Sequence, residues 1–167
     1  MASPASQLLV DAAQARGLPV RRLSSEVVLC GAPPRQMLFH GLVGAGSGRS
    51  AHVLCADAEV LRRQLARADL AVWCDEVDDT GAAPIDVAVV GARPIVASVD
   101  SPAAASELAV AALAAVPDTR YASVRLREVA GEVKIETVDP ALRYWATASA
   151  DSACRVAAAI VAWEFGG

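Results

Sequence analysis

An α+β fold, built as two small lobes of antiparallel hairpins packed with helices, is what this sequence predicts. Apolar residues recur at helical spacing in stretches closed by glycine or proline, as at Gly17 and Pro117. Between them the apolar period drops to about 2, and glycine-containing turns at Gly31, Gly91 and Gly131 split these runs into hairpins. A chain of 167 residues is long enough for a real core, in one domain or two small lobes. The predicted division is 1–74 and 84–167, joined by an acidic loop at 75–83.

The N-terminal lobe opens with Ser3 as a helix cap and Pro4 in the first turn. Leu8, Leu9, Ala12 and Ala13 form the apolar side, Gly17 closes the helix and Pro19 prevents its continuation. Val20 to Leu23 reads as a short strand with Arg21 and Arg22 in solvent. Glu26 to Cys30 and Gln36 to His40 form a hairpin around Gly31, Ala32, Pro33 and Pro34. His40 has no aspartate or nucleophile placed with it, so its reading is structural. Gly41 to Ser50, GLVGAGSGRS, has the look of a phosphate loop, but the Walker spacing fails: the first glycine would fall at Val43, and Arg49 stands in for the lysine. It reads as a surface loop. One helix is then expected, capped by Ser50, with Val53, Leu54, Ala58, Leu61 and Leu65 buried and Arg62, Arg63 and Arg67 in solvent. Val72 to Cys74 is expected as a strand.

Asp75 to Pro84 lacks the ordered ligand spacing of a calcium loop and reads as a solvated connection. Beyond it, Ile85 to Val90 and Pro94 to Val99 form a hairpin turned at Gly91 and Ala92. Ser101 and Pro102 start a helix running to Val116, and only Ser106 and Glu107 interrupt its apolar surface, so this helix should be covered on more than one side. Ala122, Val124 and Leu126 then share one face of a strand, and Ser123, Arg125 and Arg127 the other. Ala130 and Gly131 turn the chain back through Val133, Ile135 and Thr137. An even turn places Arg125 opposite Glu136 as a cross-strand ion pair. Tyr144 and Trp145 pack the hairpin end against a last helix, begun by Ser149 or Asp151, that buries Ala153, Val156, Ala157, Ile160 and Trp163.

The alanine-rich helix, the proline, the aromatic before a strand, the glycine-turned hairpin and the acidic residue before Pro140 together resemble the C-terminal half of an ATP-grasp ligase. The branch is that of cyanophycin synthetase and related amino-acid ligases. ARGLPVRRLSSEVVLCGAPPRQMLFHG resembles that family's segment of helix, short strand and hairpin. Ser47 to Val72 resembles the following helix, with Asp57 matching its initial aspartate and Ala58 replacing a lysine. Pro84 to Asp100 resembles the central hairpin. The resemblance implies an aspartate on the first strand of the last hairpin, and a glutamate and an asparagine on the second, holding the magnesium ions that bridge the phosphates of ATP. Arg125 stands in the aspartate's place, Glu136 matches the glutamate, and Val138 or Asp139 replaces the asparagine. A cation in a ligand position repels the metal, so at least one metal site should be lost.

Lys134 is the only lysine, whereas the resemblance implies earlier lysines on the nucleotide phosphates. Arginine's broad fork does not reproduce a compact ammonium. Arg35 and Arg49 are the nucleotide-binding candidates, and Glu136 and Asp139 the metal candidates.

A net charge of −4 argues against a nucleic-acid footprint. No run approaches a membrane span and no signal peptide is evident, so a cytoplasmic location is expected. The cysteines at 30, 55, 74 and 154 show no paired CxxC spacing and read as reduced thiols. The leading functional expectation is a non-catalytic ATP-grasp-like subunit or scaffold, either a homo-oligomer or the partner of an active ligase, and needing no cofactor. One alternative is a minimal ATP- and magnesium-dependent carboxylate-amine ligase whose site is completed by oligomerisation. The other is an ATP-independent small-molecule-binding protein.

Overall fold

The computed structural model describes residues 2–74, 83–97, 102–145 and 149–166. Helix α1 (Pro4–Ala15) starts where expected, with the Ser3 side chain accepting from the Ser6 N–H, and Gly17 leaves it at a φ of 70°. Strands β1 (Val20–Arg22), β2 (Val27–Cys30) and β3 (Met37–His40) form an antiparallel sheet in that order. Helices α2 (Arg49–Ala56) and α3 (Ala58–Arg67) follow. The second sheet contains β4 (Ile85–Val90), β5 (Arg93–Ala97), β6 (Tyr121–Val129) and β7 (Glu132–Asp139), all antiparallel, in the order β5-β4-β6-β7. Helix α4 (Ala103–Ala115) connects β5 to β6, and α5 (Ala150–Phe165), capped by Ser149, ends the chain.

The larger sheet is apolar on both faces over part of its area. On one face Val87, Val124 and Leu126 pack against Ala105, Ala109, Ala112 and Leu113 of α4, with Leu61 and Leu65 of α3 in the same cluster. On the other, Ala88, Val90 and Tyr121 join Leu9, Val28 and Phe39 from the N-terminal segment and Val156 and Ile160 from α5. Both clusters draw residues from either side of the 75–83 connection.

Several local expectations are corrected. The single helix expected after Ser50 is two, because Asp57 is extended (φ −105°, ψ 107°) and its carboxylate accepts from the N–H groups of Glu59 and Val60. An aspartate competes with the helix for backbone donors, so it starts α3 and ends α2. Gly48, not Ser50, caps α2; the Ser50 hydroxyl donates to Asp118 instead. Val53 is consequently 65% exposed rather than buried. The strand expected at Val72 to Cys74 is one parallel bridge, Val72 to Ile135, along the outer edge of β7. Trp163 is 48% exposed, because it lies against the Gly91 turn at the rim of the sheet instead of in the core. The Ser101 cap, the end of the β5 strand at Val99 and nearly all of the acidic loop lie outside the described residues.

Candidate functional site

The part of the larger sheet that α5 leaves uncovered carries the charged side chains, and a β-bulge arranges them. Val129 pairs with Glu132 across a turn of Ala130 and Gly131, which adopt φ values of 53° and 85°. Positive φ at both positions matches the right-handed twist of the strands. The turn therefore has the even length that would set Arg125 opposite Glu136. That register holds as far as Leu126 and Ile135, where a bulge inserts one residue, so Arg125 faces Thr137. The expected Arg125–Glu136 pair does not form.

Arg125 instead bonds Asp86, directly opposite on β4, with Nε–Oδ1 at 2.8 Å and Nη2–Oδ2 at 3.0 Å. Glu136, the bulged residue, takes Arg127, with Nε–Oε2 at 2.7 Å and Nη2–Oε1 at 3.4 Å. Each guanidinium is also covered by a ring: Arg125 lies 3.8 Å from the Tyr144 centroid and Arg127 4.9 Å from that of Trp73. The two side chains of the Arg125–Asp86 pair are only about a quarter exposed, at 24% and 25%. Asp86's hydrogen bonds raise the Arg125 pKa above its ordinary value.

Asp139, 3% exposed, accepts from the backbone N–H of Ala141 at 3.1 Å and of Arg143 at 2.8 Å, and the Arg143 guanidinium lies 3.3 Å away. It lines a cavity of about 270 Å³ between α2 and the end of β7, together with His52, Cys55, Thr137 and Tyr144. Burial, and then the charge of Asp139, push the Cys55 pKa up to about 12, which disfavours the thiolate form. Ser47 lies 3.0 Å from His52 Nε2, but its hydroxyl donates to the Pro140 carbonyl at 3.2 Å. The Ser47 hydroxyl thus has a second, carbonyl acceptor competing with His52 for its single proton.

Of the residues predicted from sequence, Glu136 and Asp139 share β7, each in an ion pair. Arg49 is the exposed first residue of α2, the helix whose His52 and Cys55 line the cavity, while Arg35 is exposed in the β2–β3 turn of the smaller sheet. Among the described residues no group of three or more His, Cys, Asp or Glu is placed to hold a metal ion. Sequence reasoning missed Asp86, Arg127, Trp73 and His52. Asp86 meets Arg125 from 39 positions away, whereas Arg127 and Glu136 lie only nine apart but are aligned by a bulge that local pattern does not announce; only the alternation that puts Arg127 on a polar strand face was visible beforehand.

The glycine-rich stretch is a tether, not a free surface loop. Gly44 N–H donates to Tyr121 Oη at 2.6 Å, Gly46 N–H to Glu164 Oε1 at 2.7 Å, and Tyr121 O–H to the same carboxylate oxygen at 3.1 Å. A Cβ on Gly44 would meet the Phe39 ring at 2.4 Å, and one on Gly46 the Tyr121 ring at 2.6 Å. Glycine is needed for close approach of these rings, and the Glu164 carboxylate takes an amide that a phosphate would need.

No protein-family model matches this chain, and no curated protein matches it. Among solved structures, it is similar to the crystal structure of the macrocyclase MdnB from Microcystis aeruginosa MRC, with a TM-score of 0.63 over 98% of this chain and 95% of that one. The fold is ATP-grasp-like. At 10% identity the likeness carries the architecture alone. No described helix is long and apolar enough to cross a membrane.

Proposed function

We propose that this chain is a non-catalytic ATP-grasp-like subunit or scaffold, working beside an active ligase that forms amide or peptide bonds. The observation that carries this reading is the state of the carboxylates. Asp86, Glu136 and Asp139 each face an arginine, the first two through paired contacts to one guanidinium. A magnesium ion needs carboxylate oxygens free of competing donors, and here it would have to displace the ring-covered guanidinium groups of Arg125 and Arg127, and at Asp139 the backbone N–H groups of Ala141 and Arg143. Nucleotide phosphates would in turn need cations beyond those already paired, and the chain's single lysine is Lys134. The donor set therefore weighs against magnesium and ATP. Likeness to a macrocyclase supports the setting of bond-forming ligation.

A second reading, ATP-independent binding of an amino-acid-like molecule, is favoured by the cavity of about 270 Å³ with Arg143, His52 and Asp139 in its lining. Calorimetric titration of the full chain with ATP and magnesium tests the leading reading. No heat of binding is expected. Micromolar affinity would overturn it in favour of the minimal ligase, with Glu136, Asp139, Arg35 and Arg49 as the residues to substitute first.

A further inference from the structure

We propose that the outer side of α4, together with the tip of the β6–β7 hairpin, is a docking groove for a basic amphipathic helix of a partner protein. The sequence of α4 is apolar around most of its circumference, but the fold covers only part of it. Ala105, Ala109, Ala112 and Leu113 face the sheet and are buried. Ala104, Leu108 and Ala111, spaced i, i+4 and i+7, form a second apolar stripe that lines an open groove of about 730 Å³, with Val133 on the opposite wall. Two of these three helix residues are alanine, so an incoming helix can approach α4 to the short end of the usual 8–10 Å range. The 13 residues of α4 run for about 20 Å, room for some three to four turns of a partner.

Charge decides what kind of helix fits. Glu107, Glu128 and Glu132 rim the groove, all exposed, and among the described residues none of them is in an ion pair. A second copy presenting the same face across a two-fold axis would bring glutamates against glutamates, which disfavours self-association there. The chain's own basic helix, α3, is no substitute occupant from another copy, because its Leu61 and Leu65 are already buried in the α4 cluster. An apolar floor with an acidic rim selects a helix with leucine-type residues at helical spacing, flanked by lysine or arginine. The groove lies on the α4 side of the sheet, opposite the arginine-paired face, so this inference does not rest on the reading of that face.

The test is fluorescence anisotropy of a labelled synthetic helix, carrying leucine at i, i+3, i+4 and i+7 and lysine on the flanks, titrated with the full chain. A peptide of the same length with glutamate on the flanks serves as the comparison. The lysine peptide is expected to bind and the glutamate peptide not to. Glu107→Lys with Glu132→Lys should weaken binding roughly tenfold or more without shifting the unfolding midpoint, since both side chains are exposed. Leu108→Ser should weaken it independently of charge. Absence of binding by the lysine peptide, equal binding of both peptides, or full retention in the charge-reversed variant would each overturn the proposal. A concentration-dependent dimer that Leu108→Ser abolishes would also overturn it, by making a second copy the occupant.

Discussion

At the scale of single residues, Glu164 and Tyr121 show how a tether in the tertiary structure replaces what reads from sequence as a surface loop. One carboxylate oxygen of Glu164 accepts from both Gly46 N–H and Tyr121 O–H. Glu164→Ala leaves both donors without that acceptor and is expected to cost about 1–3 kcal/mol, measured by urea denaturation. A loss within experimental error would show that the glycine stretch is held by something else. Burial also sets a pH dependence. The pKa of Cys55 is pushed up to about 12, and those of Cys30 and Tyr121 are raised as well, each chiefly by burial. An unfolded thiol ionises near pH 8.5, so above roughly pH 9 the unfolded chain binds fewer protons than the folded one, and stability falls as pH rises. Denaturation midpoints at pH 8 and pH 10.5 check the sign, and Cys55→Ala should flatten part of the slope.

At the scale of elements, the β6–β7 bulge is the feature that decides the chemistry of the charged face. By shifting the register one residue beyond Leu126, it frees Arg125 for Asp86 on β4 and puts Glu136 within reach of Arg127. Either Arg125→Ala or Asp86→Ala removes the paired contact between them, in side chains about a quarter exposed. Each is expected to cost about 1–2 kcal/mol, and the double substitution clearly less than the sum of the two. Strict additivity in that cycle would mean that the pair contributes no coupling. Much at this scale was legible beforehand. Ser3, Gly17, Pro117 and Ser149 mark helix ends because capping and termination act within a few residues. Asp57 carried the same kind of signal, but the apolar spacing of Leu54, Ala58, Leu61 and Leu65 runs through it and suggests one unbroken helix.

At the scale of the whole molecule, the two hydrophobic clusters join the front and the back of the chain. Leu9, Val28 and Phe39 share a cluster with Tyr121 and Ile160, and Leu61 and Leu65 share one with Ala109 and Val124. Each cluster takes apolar side chains from both segments, so chemical unfolding is expected as a single transition, coincident by tryptophan fluorescence and far-UV circular dichroism. Two separated transitions would show that the segments before and after residues 75–83 unfold independently.

The sequence by itself determined the α+β class, the hairpins and their turns, most helix ends, and the shortage of lysine that weighs against a nucleotide site. These depend on local period, turn chemistry and composition, which act over a few residues or require no geometry at all. Only the tertiary structure decided which charges meet. Asp86 and Arg125 stand 39 positions apart and come together because β6 lies against β4, with α4 carrying the chain between. Gly46 and Glu164 are 118 positions apart. Period and propensity carry no information across such distances, and a single bulged residue decides which arginine Glu136 meets.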